Sequence, residues 1–357
     1  MIILGIETSC DDTSISAVKI NEKKQTFNVL SDKISSQIKL HAKWGGIVPN
    51  LAAREHSKNI IPILKKALKE ASVSVSDINL ISVTQGPGLI PSLLIGSNFA
   101  KTLSYLWRKP LMGIHHIEGH IYAGLLSSVK KNNSLDKIKF PALILIVSGG
   151  HTQLITMRHH LDYNIIGETQ DDAVGEAFDK VARILDLDYP GGPIISQKAS
   201  FFTKKSTFSF PRPMIDSPDL NFSFSGLKTA VLYKTKELKK HLNKKDFLKK
   251  IPEICFEFQQ SCIDVLIHKT VIASKKFNPQ TLILSGGVSA NKELRKQFKN
   301  QFKNIQYLTP DPLYTSDNAT MIALAGYFRW KNMEKSEKEK TLQNWKTLQA
   351  DANLNFC

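Results

Sequence analysis

The chain has 357 residues, 42% of them hydrophobic, which is more core than one average domain needs, so two lobes are expected. Its 48 Lys+Arg outnumber 32 Asp+Glu, a formal charge of +16 whose field attracts polyanions such as nucleic acid; lysines in short runs such as Lys239-Lys240 and Lys249-Lys250 fit solvated helix faces equally well, so charge alone leaves an RNA partner open. No stretch approaches a membrane span, Glu7 arrives too early for a signal peptide, and Cys10, Cys255, Cys262 and Cys357 form no C-x-x-C pair, so the reading is a cytoplasmic protein with neither disulfide framework nor zinc ribbon.

From the N-terminus, the apolar run Ile2 to Ile6 breaks at Thr8-Ser9-Cys10-Asp11-Asp12-Thr13 and resumes at Ile15 to Val18, a strand, a hydroxyl-rich turn and a returning strand. Helical patterns follow at Leu51 to Ala71, with Ile60, Ile61, Leu64 and Leu68 apolar, and at Pro91 to Trp107, after the loop Gly86-Pro87-Gly88. The opening grammar then recurs. A buried strand, Ala142 to Val147, ends in Ser148-Gly149-Gly150-His151-Thr152 and continues as Leu154 to Met157, which predicts an internal duplication. Next come a helix from about Asp172 to Leu185, a turn at Pro190-Gly191-Gly192-Pro193, and an irregular stretch from Phe201 to Phe224. Helices resume at Gly226 and near Glu253, followed by the strand Thr281 to Leu284 and a Gly-Gly turn into another helix. Strands alternating with helices predict an α/β architecture of sheets covered by helices. The tail beyond Trp330 is charged and weakly patterned and is expected to be a loose appendage.

His116 and His120 stand four residues apart, so on a helix they share a face and can ligate one metal ion; a pair of ordinary surface or core histidines is the alternative. Two ligands are too few, and Asp317 is attractive as a third because it precedes the apolar helix Ala319 to Tyr327, although it could equally cap that helix. The zinc-protease pattern H-E-x-x-H also pairs histidines in this way. Here the acid is displaced: in His116-Ile117-Glu118-Gly119-His120, at roughly 100° per residue, Glu118 points about 200° from both histidines, and Gly119 weakens the helix. Three glycine-rich turns, Ser148-Gly149-Gly150, Pro190-Gly191-Gly192-Pro193 and Ser285-Gly286-Gly287, match neither the P-loop nor the dinucleotide fingerprint, and read as a different nucleotide site or as ordinary tight turns. In the helix after Gly167, Val174, Phe178, Val181 and Leu185 form an apolar stripe, which leaves Asp179 on another face, placed to accept from ribose hydroxyls.

Together, Gly5-Ile6-Glu7-Thr8-Ser9-Cys10-Asp11, His115-His116-Ile117-Glu118-Gly119-His120, Ser148-Gly149-Gly150-His151-Thr152-Gln153-Leu154, Gly175-Glu176-Ala177-Phe178-Asp179-Lys180, Phe222-Ser223-Phe224-Ser225-Gly226-Leu227-Lys228-Thr229 and Gly286-Gly287-Val288-Ser289-Ala290-Asn291 resemble the universal tRNA threonylcarbamoyladenosine transferase family in its bacterial or organellar form. The resemblance spans Met1 to about Arg329. It implies a duplicated, two-lobed actin, hexokinase and Hsp70-like fold, with an N-terminal lobe over 1–125 rejoined by 310–330, a C-terminal lobe over 126–309 carrying the nucleotide loops, and the tail over 331–357. It implies one divalent metal ion, iron or zinc, on His116, His120 and Asp317. It further implies nucleoside contacts from Ile146, Val147, Ser148, Gly149, Gly150, Asp179, Gly192 and Asn291, and a catalytic role for Asp11. The reaction implied moves threonylcarbamoyl from threonylcarbamoyl-adenylate to N6 of adenosine 37 in tRNAs reading codons that begin with A. The implied partners are tRNA, a paralogous non-catalytic subunit and a small P-loop ATPase, with no membrane. Asp12 and Ser196 depart from the usual glutamate and aspartate. A non-catalytic nucleotide-binding scaffold or chaperone of the same fold is the rival reading, with a metalloprotease the weaker one.

Overall fold

The structure is a computed structural model that describes residues 1–126 and 133–356; Cys357 lies outside the described residues. The chain divides into two compact units, one of Met1–Lys139, His160–Asp162 and Leu308–Cys357, the other of Phe140–His159 and Tyr163–Tyr307. The first opens with β1 (Ile2–Glu7), β2 (Asp12–Asn21) and β3 (Thr26–Ser36), an antiparallel meander. After α1 (Ile38–Ala42) and α2 (Pro49–Ala71), β4 (Leu80–Gly86) pairs in parallel with β1; α3 (Ile90–Trp107) then returns the chain to β5 (Leu111–His115), parallel to β4. α4 (His116–Ala123) starts directly from β5, and β6 (Asn133–Ser134) completes the sheet order β5-β4-β1-β2-β3-β6. Ile60, Ile63, Leu64 and Ala67 recur at helical spacing on α2 and bury against Leu4, Ile6, Ile81 and Val83 of the sheet.

The second unit repeats the plan. β7 (Ala142–Val147), β8 (Thr152–Met157) and β9 (Tyr163–Glu168) form an antiparallel meander, followed by α5 (Val174–Ile184), α6 (Gly191–Ser200), α7 (Ser225–His241) and α8 (Lys244–Phe277). β10 (Thr281–Ser285) pairs in parallel with β7, and α9 (Lys292–Gln301) leads to β11 (Gln306–Leu308), giving the order β11-β10-β7-β8-β9. Strand for strand this is the order β5-β4-β1-β2-β3 of the first sheet, so the duplication suggested by the two hairpins is a duplication of whole sheets. The stripe Val174, Phe178, Val181 and Leu185 is buried with Leu143, Leu145 and Val147 of β7 and with Phe258 and Cys262 of α8. Pro190-Gly191-Gly192-Pro193, expected as a turn, instead opens α6: proline and glycine in a first turn cost no intrahelical bond, because those N–H groups have no partner within the helix. The irregular stretch before α7 is held by α8, where buried Glu253 accepts from the Thr207 amide and hydroxyl, both at 2.6 Å, and fully buried Lys269 donates to the Ser217 and Asp219 carbonyls at 3.0 and 2.7 Å.

The chain then returns to the first unit as α10 (Ala319–Asn332), α11 (Lys335–Lys340) and α12 (Asn344–Thr347). α10 is buried from Ala319 to Phe328 and lies directly on β1: a Cβ on Gly5 would collide with the Ala319 carbonyl, so only glycine admits that approach. The tail departs from expectation. It is not loose, because Leu348 plugs the core below α3 and β5, Trp345 packs on Tyr105 with ring centroids 4.7 Å apart, and Asn344 Nδ2 donates to the Leu111 carbonyl at 2.8 Å. Widely spaced single anchors of this kind leave no periodic signal. Leu348→Ala is expected to cost roughly 2 kcal/mol, the usual price of emptying a buried leucine site at a core's edge, and to lower the thermal midpoint in a calorimetric scan; an unchanged midpoint would mean the tail is only laid on the surface.

Candidate active site

α4 grows straight out of β5, so the strand fixes the position of its first residue, His116, and one helical turn places His120 on the same face, with ring centroids 4.7 Å apart. Asp317 arrives from the loop before α10. Its Oδ1 stands 3.4 Å from His116 Nε2 and 3.3 Å from His120 Nε2, and all three ligand atoms lie within 4.8 Å of one another. Two donors each 2.0–2.1 Å from one tetrahedral ion would be about 3.3–3.4 Å apart, so these separations fit a metal site. Capping does not explain Asp317, since Asn318 is the residue that caps α10, its side chain accepting from the Met321 amide at 3.0 Å.

Two further observations fit the donor set to a cation. His116 Nδ1 donates to Glu7 Oε2 at 3.1 Å, which turns Nε2 toward Asp317; Glu7 is itself held by the Ser9 amide and the Thr84 hydroxyl, both at 2.5 Å. Neither ring nitrogen of His120, which is 1% exposed, makes a well-formed hydrogen bond. Burial alone would lower the His116 pKa, yet the Asp317 and Glu7 carboxylates outweigh it and push it up to about 10. Asp317 is likewise held well below the usual carboxylate range by His116, against the opposing effect of burial. Glu7 was not singled out as a site residue from the sequence; only the fold brings the end of β1 against α4.

On the β1–β2 turn, burial and the Asp317 charge raise Asp11 to about 6, and burial with the charges of Asp11, Asp317 and Glu7 raises Asp12 to about 7. A carboxyl poised in that range can accept a proton from a reacting amine. Glu118 is turned away from the histidines, as its spacing predicts, and pairs bidentately with Arg329 of α10 at 2.6 and 2.7 Å. It cannot serve as a protease base there. Gly119, expected to weaken α4, is where α10 crosses it: a Cβ would meet Ile322 Cδ1 at 2.8 Å and Met321 Cγ at 2.9 Å, so the glycine's cost in propensity is offset by the close approach of the element that carries Asp317. His115 is no ligand, because its Nδ1 accepts from the Ile117 amide at 3.1 Å and its Nε2 donates to the Leu354 carbonyl at 2.9 Å.

The second unit holds a cavity of about 960 Å³ that brings together four residues expected to contact a nucleoside: Gly149, Asp179, Gly192 and Asn291. Such a volume suits a nucleotide-sized ligand. Asp179 Oδ1 accepts from the Gly191 amide at 2.7 Å and so ties α5 to the start of α6, while Asn291 caps α9 and donates to Gln259 at 2.7 Å. A Cβ at Gly149 or Gly192 would meet nothing within 4 Å, so the backbone there is open to a ligand. Phe178, Phe202 and Phe256 supply apolar walls, and Lys292 and Lys296 supply positive charge suited to a phosphate. Ile146, Val147, Ser148 and Gly150 are not among the lining residues. Ile146 and Val147 are fully buried strand residues, and the Ser148 hydroxyl accepts from the His151 amide at 3.1 Å, closing the turn. Ser196 lines the cavity; Asp12 begins β2 in the other unit.

Among the described residues no helix is long and apolar enough to cross a membrane. Residues 28–324 match the family model described as TsaD: tRNA N6-adenosine threonylcarbamoyltransferase. The chain is 49% identical over 337 residues to the tRNA N6-adenosine threonylcarbamoyltransferase of Persephonella marina, covering 93% of this chain and 91% of that one. It is 43% identical to the Staphylococcus aureus protein of the same name, covering 93% and 92%. Among solved structures, it is similar to the activator of the 2-hydroxyisocaproyl-CoA dehydratase from Clostridium difficile with bound ADPNP, with a TM-score of 0.51 at 13% identity over 95% of this chain and 98% of that one, a likeness of fold alone. The fold is the duplicated actin, hexokinase and Hsp70-like one. With its paired histidines, distant aspartate and glycine-lined cavity in one chain that matches over most of its length, the protein belongs to the tRNA N6-adenosine threonylcarbamoyltransferase family.

Proposed function

We propose that the chain transfers the threonylcarbamoyl group of threonylcarbamoyl-adenylate to N6 of adenosine 37 in tRNAs reading codons that begin with A, releasing AMP. The observation that carries this reading is the His116, His120 and Asp317 cluster at ligand spacing, in a chain of this family. A bound divalent ion, iron or zinc, would supply positive charge to polarise the carbamoyl group, and two imidazoles with one carboxylate accept either metal. In the second unit, Asp179 and Asn291 orient the adenosine part while Lys292 and Lys296 face its phosphate.

Adenine N6 attacks the carbamoyl carbon; the new C–N bond forms as the C–O bond to the phosphate breaks, AMP leaves with that electron pair, and the N6 proton passes to Asp11. Because N6 is a poor nucleophile, orientation carries much of the rate. The chain's positive charge suits the anticodon arm. Its working partners are tRNA, a paralogous non-catalytic subunit and a small P-loop ATPase, and its setting is the cytoplasm. A nucleotide-binding scaffold has no use for two buried histidines facing an aspartate, which favours the transferase over that rival.

Purified chain should carry one divalent ion by elemental analysis; His116→Ala or Asp317→Ala should lose it, and chelation should abolish labelled-threonine transfer to an unmodified tRNA transcript when synthase and partner proteins are supplied. Transfer that survives full metal removal would end this mechanism. Asp11→Asn should keep metal and adenylate binding yet turn over at least ~100-fold more slowly; full turnover would remove Asp11 as proton acceptor. Asp179→Ala should weaken AMP binding about tenfold by calorimetry and leave the metal content alone, the loss of one hydrogen bond to a charged group.

A further inference from the structure

Beyond Leu348 the chain runs along the ends of two strands that lead into functional loops. The Asp351 amide donates to the Gln85 carbonyl at 2.9 Å, and the Gly88 amide donates to the Ala352 carbonyl at 3.4 Å, so the segment seals the end of β4. The backbone comes so close to Gly86 that a side chain there would strike the Asp351 carbonyl. At the end of β5, His115 donates to the Leu354 carbonyl and packs its ring 4.9 Å from that of Phe356. The other nitrogen of the same imidazole accepts from the Ile117 amide and so caps α4. Since Nδ1 accepts, Nε2 must carry the hydrogen, and one neutral ring spans from the tail to the first turn of the helix that begins with His116.

We propose that Asp351–Phe356 is a strap that positions the metal-binding end of α4, with His115 as the positioning residue through which it acts. The inference rests on the metal reading of His116, His120 and Asp317. A small rotation of α4's first turn would draw His116 Nδ1 away from Glu7 and its Nε2 away from Asp317, and ligand sites tolerate little such displacement. The strap holds the opposite wall as well. Gly88, which it binds, precedes Leu89, whose amide donates to the Ser9 carbonyl at 2.8 Å, and the Ser9 hydroxyl stands 3.3 Å from His116 Nδ1. Stability is anchored upstream, by Asn344, Trp345 and Leu348, so the strap can be removed without emptying the core.

Co²⁺ titration of metal-free protein, followed by visible absorption, tests this on the full chain, on a chain ending at Gln349, and on His115→Asn, which keeps a cap acceptor but is too short to reach Leu354. The full chain should bind one ion. Both variants should bind it about tenfold more weakly, with a changed d–d band, while the thermal midpoint and AMP affinity stay within error. Co²⁺ affinity and a spectrum unchanged from the full chain in both variants would overturn the strap; if the shortened chain does not fold, His115→Asn decides alone. Failure of the full chain to bind Co²⁺ would instead bring down the metal reading, and the strap with it.

Discussion

Two carboxylates, Glu7 and Asp317, face a histidine that is almost wholly buried, and the rest of the first unit is arranged around the cost of that arrangement. Charges out of water are expensive unless matched. If only His116 takes up a proton, one positive charge answers two negative ones and the site stays unbalanced, because burial first, together with the neighbouring His116 charge, keeps His120 from protonating. A divalent ion with both imidazoles neutral closes the balance. The same accounting explains why His120 stands without a hydrogen-bond partner in the interior, a position that an ordinary core histidine would not hold.

Delivering these groups to one point takes three chain ends. β1 ends in Glu7, β5 ends where His116 begins, and the loop before α10 supplies Asp317. Side chains at the ends of buried elements inherit the rigidity of the core beneath them. The tolerances are set by glycine in two places: Gly5 lets α10 rest on β1, and Gly119 lets the same helix cross α4. Any side chain at either position would push α10 outward and carry Asp317 away from the histidines, so both glycines serve the site although neither touches an ion.

Much of this was legible before the fold was known, and the reasons differ from residue to residue. The hairpins showed because strands buried on both faces read as unbroken apolar runs, and α5 showed because its stripe keeps helical spacing. His116 and His120 are close in sequence, so spacing alone pairs them. Asp317 lies far along the chain, and only the family resemblance, not periodicity, singled it out over a capping role. Glu7 stayed hidden because an acid at a strand's end has many ordinary explanations. Ile146 and Val147, which the resemblance implies as nucleoside contacts, are fully buried strand residues, so a contact from them would be made by backbone and not by side chain. The tail escaped notice because its contacts are backbone carbonyls and single anchors, which composition cannot register.

Glu118 shows how far a local pattern can mislead when its three-dimensional partner is unknown. Two histidines one turn apart with a glutamate between them match a zinc protease in composition, yet the period of a helix sends that glutamate to the opposite side, where Arg329 holds both its oxygens. The acid that would activate water in a protease here fastens α4 to α10, and so fixes the distance between the histidines and Asp317. Burial raises the proton affinity of Glu118 too, but Arg329 occupies both its oxygens; Asp11, on the turn after β1, is raised to about 6 and Asp12, the first residue of β2, to about 7. A carboxyl on a turn outside the ligand helix is placed to take a proton from an incoming amine, which is in keeping with the proposed transfer.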